Sequence, residues 1–162
     1  MKSQRLEQLL YDLFKAEKKY LEVADIVQDT ALKRYLNFQS SERNRFCNKI
    51  IELLSSYNIE HSKTYIEKDL LNYNGDKAAQ LLQPRCHSSL VSKCLDKDKA
   101  VINHCNKALE DTSLPIELLE CITDLELYLL FQSIEISKRL DRFNITKQKN
   151  NSNKVFHLRL AN

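Results

Sequence analysis

The sequence predicts an all-α protein, an up-down four-helix bundle with a long middle crossover. Three observations carry this. The chain of 162 residues holds one glycine, Gly75, and two prolines, Pro84 and Pro115. Sheets, sandwiches and phosphate-cradling loops draw on glycine for turns at positive φ, and this chain supplies almost none. Apolar residues recur at alternating spacings of four and three, the seam of packed helices. Apolar content of 43% and charge of 29% are those of a soluble globular protein, and the length suits one domain with a real core.

The first helix is expected over about 4–28, with its seam at Leu6, Leu10, Leu13, Glu17, Tyr20, Ala24 and Val27. Asp29 and Thr30 break the pattern, and Thr30 is expected to cap the next helix. The second helix, about 31–57, shows Leu32, Leu36, Gln39, Arg43, Phe46, Ile50, Leu53 and Tyr57 at the same spacing. A polar stretch from Ser55 to Gly75 reads as the crossover, followed by a short helix over 76–83 that Pro84 ends. The third helix starts at Ser88 or Ser89, with a seam of Val91, Cys94, Asp98, Val101, Cys105 and Ala108. Asp111 to Pro115 is a turn, and Pro115 is tolerated in the first turn of the fourth helix. That helix, about 115–143, shows Leu118, Ile122, Leu125, Leu129, Gln132 or Ser133, Ile136, Leu140 and Phe143. Residues 1–143 are thus the expected bundle, and 144–162 a basic, mobile tail in which Val155–Leu160 alternates as a strand added to a partner would.

Charge is unevenly placed. From Lys138 to Arg159 seven bases stand against the single Asp141, a balance of +6 that leaves −3 for the rest of a chain whose net charge is +3. A basic end of this kind suits an acidic or protein partner, or simply the helix dipole. The overall charge is too small to point to nucleic acid. No run approaches the roughly 20 apolar residues of a membrane span, and the opening MKSQRLEQLL turns amphipathic at once. Five cysteines, Cys47, Cys86, Cys94, Cys105 and Cys121, are an odd number without a C-x-x-C pair, which suits free thiols in a cytoplasmic protein.

Each seam carries polar residues near its middle: Glu17, then Gln39 and Arg43 with Glu42 beside them, then Asp98, then Gln132 or Ser133 with Glu126 nearby. Burying a charge costs several kcal/mol unless it is paired, so these interruptions form an expected buried polar layer of Glu17, Gln39, Arg43, Asp98 and Gln132. Glu17 and Glu42–Arg43 lie about a dozen residues on either side of the first turn, and Asp98 and Glu126 about fourteen on either side of the second. At 1.5 Å per residue, two antiparallel hairpins bring them to one height. Carboxylates from four helices at one level are the layout of di-iron carboxylate bundles, which also need a Glu-x-x-His on two helices. No such motif exists here: Glu42 is followed three residues on by Arg45, Glu126 by Leu129 and Glu135 by Lys138. His61, His87, His104 and His157 fall off the seams, and Arg43 brings a fixed cation to the layer. The reading that follows is a Glu17–Arg43 ion pair setting register across the first hairpin, with no catalytic residue.

Four segments resemble a bacterial ferritin-like four-helix-bundle family that shares its core with rubrerythrins and bacterioferritins. They are AEKKYLEVA (Ala16–Ala24), where Glu17, Tyr20 and Ala24 match; SERNRF (Ser41–Phe46); KCLDKDKAV (Lys93–Val101), where Cys94 matches and Asp98 stands for a Glu; and SKRLDRF (Ser137–Phe143), where the family places a His and this chain has Ser137. The resemblance covers about residues 6–143 and implies a ferritin-like fold. With the His position lost, the expected function is a ferritin-like bundle without an intact di-iron centre, a non-catalytic interaction or stress-related module that self-associates. No cofactor is expected. An alternative is a di-metal oxidoreductase or metal-binding protein holding iron or manganese through Glu17, Glu42, Asp98 and Glu126. A further alternative is a partner-binding protein acting through the basic tail.

Overall fold

Leu6, Leu10, Leu13, Ala16, Tyr20 and Ala24 recur every three or four residues and are buried, which gives α1 (Lys2–Ile26) one apolar face. The computed structural model describes residues 2–61 and 87–160, with side chains from 4 to 61 and from 87 to 142. Among these residues all regular structure is helical, in four helices and no strand: α1, α2 (Thr30–Ser56), α3 (His87–Leu109) and α4 (Ile116–Leu160). The expected short helix over 76–83, Gly75, Pro84 and Cys86 lie outside the described residues. No helix among those described is long and apolar enough to cross a membrane.

The chain divides into two compact units, Met1–Leu129 and Leu130–Asn162. In the first, every residue of the α1 and α3 seams is buried, the polar Glu17 and Asp98 included. Leu9, Leu13, Ile50, Val101, Leu118 and Ile122 are among the side chains of one core to which all four helices contribute. The second unit holds the remainder of α4, in which Ile136 is fully buried.

Hydrogen bonds fix the helix directions within Met1–Leu129. Tyr20 meets Asp98, and Arg5 meets the Lys107 carbonyl, so α1 and α3 run antiparallel. Only residues 27–29 join α1 to α2, so the two form an antiparallel hairpin, within which the Glu17 carbonyl accepts from Ser40 and its carboxylate from Asn44. Tyr128 meets Gln39, and Tyr57 meets Glu117, so α2 and α4 are antiparallel. It follows that α2 and α3 run the same way, which the long link between them allows.

Helix ends show how local chemistry sets these elements. The α2 N-cap is Asp29, at φ −68 and ψ 117 with its side chain accepting the Leu32 N–H at 2.7 Å. Thr30, the expected cap, is instead the first helical residue. A carboxylate at the N-cap also meets the positive end of the helix dipole, which a hydroxyl does not exploit. At its other end α2 closes with the paired bonds Asn58 N–H to Ser55 C=O and Ile59 N–H to Leu54 C=O. That pattern places a left-handed residue just past the helix, and Asn58 takes it at φ 53. Before α4, Asp111 Oδ1 accepts both the backbone N–H and the hydroxyl of Ser113, and the Pro115 carbonyl accepts the Leu118 and Leu119 N–H groups.

The fourth helix is longer than expected. It runs to Leu160, so residues 144–160, read from sequence as a tail with a strand-like Val155–Leu160, continue α4. After Pro115 the chain contains neither Gly nor Pro, so nothing stops a helix once Pro115 has started it.

A buried ion-pair layer as the candidate functional site

Four side chains from three helices close one level of the Met1–Leu129 unit. Tyr20 on α1, Gln39 and Arg43 on α2, and Asp98 on α3 each keep 0–1% of their surface exposed. Arg43 and Asp98 form a two-pronged pair, Nε to Oδ1 at 2.9 Å and Nη2 to Oδ2 at 2.6 Å. This fork-to-fork geometry is the strongest available to an arginine. The Tyr20 hydroxyl donates to Asp98 Oδ2 at 2.7 Å. The guanidinium also lies over the Tyr20 ring, 3.7 Å from its centroid, where the ring face attracts a cation. Its remaining prong, Nη1, donates to the Gln39 carbonyl at 2.7 Å and to Gln39 Oε1 at 3.0 Å. Gln39 lies one turn before Arg43, which makes that reach possible. From α4, the Tyr128 hydroxyl donates to the same Gln39 Oε1 at 3.0 Å. All four helices therefore meet in one hydrogen-bonded network.

The electrostatics follow from burial and pairing. Burial opposes the Arg43 charge, but Asp98 and the Tyr20 ring system outweigh it, and the guanidinium's pKa ends above its ordinary value. Burial raises the Tyr20 phenol well above its usual range, and the Asp98 carboxylate adds to this, so it stays a hydrogen-bond donor. Burial with Asp98 nearby pushes the Cys94 thiol up to about 12. Burial with Glu17 pushes Cys47 up to about 11. Burial with Glu126 pushes Cys105 up to about 12. These three thiols are free, as is the half-buried Cys121, and their raised values make them poor nucleophiles at neutral pH.

The pairing expected between Arg43 and Glu17 is corrected: Arg43 binds Asp98. Counting residues gives the height of a side chain along a helix, while rotation by 100° per residue gives its direction. Tyr20 occupies the direction toward the guanidinium, and Glu17, three residues earlier, is turned toward α2. There its Oε1 accepts from Asn44 at 3.2 Å, and Lys18 Nζ stands 3.9 Å away. Its Oε2 is buried without a hydrogen-bond partner. Glu42 is only half-buried and is held by Arg45 at 2.9–3.1 Å. Glu126 is also half-buried. Gln132 is half-buried in the Leu130–Asn162 unit. Among the described residues no three His, Cys, Asp or Glu side chains converge as a metal-ligand set.

Sequence reasoning missed two members of the network and one neighbouring pair. In the sequence Tyr20 is one more seam residue, and Tyr128 falls outside the seam of its helix. The available signal was the phenol itself, since a buried Tyr hydroxyl seeks a polar partner. The missed pair is His104 on α3, whose Nδ1 lies 3.0 Å from Asp12 Oδ2 on α1 and 3.0 Å from the Ala100 carbonyl. Gln8 donates to the same Asp12 oxygen at 3.2 Å.

Outside the layer, a groove of about 680 Å³ lies between α2 and α4, bordered by Arg45 and Lys49 on one side and Glu117, Glu120 and Asp124 on the other. Comparison of the chain with known protein families, curated proteins and solved structures finds no match.

Proposed function

We propose that this chain is a non-catalytic ferritin-like helical bundle, an interaction or stress-related module whose central polar layer holds the fold in place of a di-metal centre. The Arg43–Asp98 pair carries this reading. Asp98 is the carboxylate best placed to ligate at that level, and both its oxygens are engaged by Arg43 and Tyr20. A fixed cation in contact with it opposes the approach of a second. The parallel run of α2 and α3 supports the ferritin-like reading of the topology. The donor set does not fit a di-iron centre: Glu42 and Glu17 are turned away, and no Glu-x-x-His motif is present. Nor does the layer offer chemistry to a substrate. A guanidinium cannot serve as a base, the Tyr20 phenol is held protonated, and the exposure of 0–1% leaves no approach.

Metal analysis of protein purified without chelators, after incubation with ferrous iron or manganese and gel filtration, tests the reading. The expected content is far below one metal per chain, with no change in melting temperature on adding a chelator. Stoichiometric metal that is lost in Asp98→Asn would overturn it.

A further inference from the structure

The helical course of residues 144–160 orders the bases at the end of the chain along one element. In the unit Leu130–Asn162 the described residues form a single helix that runs to Leu160. At about 100° per residue, Lys138, Arg139, Arg142, Lys147, Lys149 and Lys154 take register positions within one half of its circumference. Thr146, Asn150 and Asn153 share that half. The remaining base, Arg159, falls on the other half together with Asp141. The unit's second acid, Glu135, precedes the basic run and is held by Lys138 at 3.5 Å. Lys138, Arg139 and Arg142 are exposed. The chain's net charge of +3 hides this face, because the residues outside Lys138–Arg159 sum to −3.

From Lys138 to Lys154 the face spans roughly 24 Å, a length that suits a polyanion better than one small anion. A helix that lies on an anionic bilayer needs an apolar stripe opposite its bases. Here the apolar residues are divided: Leu140, Ile145, Val155 and Leu158 on one half, Phe143, Phe156 and Leu160 on the basic half. Duplex DNA fits the pattern more closely. Its phosphates recur at fixed spacing along both rims of a groove, where Lys and Arg neutralise them and Thr and Asn donate to them. The major groove of B-form DNA admits an α-helix, whereas that of an RNA duplex is too deep and narrow.

We propose that the distal part of α4 is a DNA-binding helix. It engages the phosphate backbone of duplex DNA through the half that bears Lys138, Arg142, Lys147, Lys149 and Lys154, without reading sequence. The inference rests on the reading of the chain as an interaction module and names its partner. It draws on the second unit alone, so its failure would leave the metal-free layer untouched.

Fluorescence anisotropy of a labelled DNA duplex of mixed sequence, titrated with the full chain, tests it. Six phosphate contacts predict a slope near −5 for log affinity against log salt, a loss of about a thousandfold between roughly 50 and 200 mM salt. Two triple variants separate a binding face from bulk charge, since each lowers the net charge by the same amount. Lys147→Gln, Lys149→Gln, Lys154→Gln acts on the basic half, and Asn144→Glu, Gln148→Glu, Asn151→Glu on the other. At about 100 mM salt, where charges more than about 10 Å apart are largely screened, the first should weaken binding at least about tenfold. It should also bring the slope to about −3. The second should keep the wild-type slope and lose less than about threefold. A wild type that does not bind the duplex at about 50 mM salt overturns the proposal. So do two triples that weaken binding equally, and so does binding to phosphatidylserine vesicles with none to DNA.

Discussion

Arg43 is fully buried and bears a charge, so its worth is decided by its partners. Replacing it by Ala leaves Asp98 in the core with only the Tyr20 hydroxyl, and removal of one member of a buried pair costs about 3–5 kcal/mol. Urea melts of Arg43→Ala are expected to lose that much. The double variant Arg43→Leu, Asp98→Leu should recover most of it, since apolar residues of similar volume often replace a buried pair at little cost. Tyr20→Phe should lose about 1.5–3 kcal/mol, the range for a hydrogen bond to a charged group. Losses below 1 kcal/mol for Arg43→Ala, the range of exposed pairs, would show that water reaches the site. The buried thiols give a second expectation. Cys47, Cys94 and Cys105 hold their protons up to about 11, 12 and 12, against 9.0 for an ordinary thiol. A folded-state value raised above the unfolded one stabilises fully below pH 9 and is lost as pH climbs toward 12. Melting temperature should therefore fall above pH 9, each thiol adding at most about 1.4 kcal/mol per pH unit to the slope. Cys105→Ala should flatten that slope whatever it does to stability at pH 7, and a slope that is unaltered would place the thiol near water. At this scale the sequence reveals that Gln39, Arg43 and Asp98 are interior polar residues, because they interrupt apolar seams. It does not reveal that Asp98, and not Glu17, receives the guanidinium. Both stand at the right height, and only the rotation of packed helices separates them.

Helix ends are where the elements depend on single residues. Asp29 caps α2 through the Leu32 N–H, and replacing an N-cap carboxylate by Ala costs about 1 kcal/mol. Asp29→Ala is expected to lower the urea midpoint accordingly, while Thr30→Ala, inside the first turn and exposed, should change it by a few tenths of a kcal/mol at most. The reverse order in denaturation experiments would restore Thr30 as the cap. The spans of α1, α2 and α3 are readable because Gly and Pro are so scarce that seams run unbroken between few breaks. The closing of α2 was less readable: Asn58 followed by the apolar Ile59 is the only local sign of the left-handed stop. The length of α4 is not legible in the sequence, and the reason is physical. The seam fades after Phe143, and loss of an apolar stripe looks like loss of helix. Periodicity reports burial of one face, however, and a helix persists without it where no residue breaks the backbone pattern.

At the scale of the whole chain, the division between Leu129 and Leu130 falls inside a continuous helix. The core cluster of Met1–Leu129 takes Leu118, Ile122, Leu125 and Leu129 from α4, and in the second unit Ile136 is fully buried as well. The sequence placed the corresponding boundary later, at residue 143, because Ile136 and Leu140 still fit the seam. If the first unit holds its own core, ending the chain after Phe143 removes residues 144–160 of α4 and keeps every residue of the ion-pair layer and of the core cluster in the chain. Cooperative unfolding follows buried contacts and not helix length. The melting temperature should therefore stay within a few degrees of the full chain. The helical circular dichroism signal per molecule should drop, because residues 144–160 are helix and not tail. A truncated chain that keeps the full helical signal would mean that α4 ends near Phe143 in solution. One that melts much earlier would mean that the distal helix shares the cooperative core.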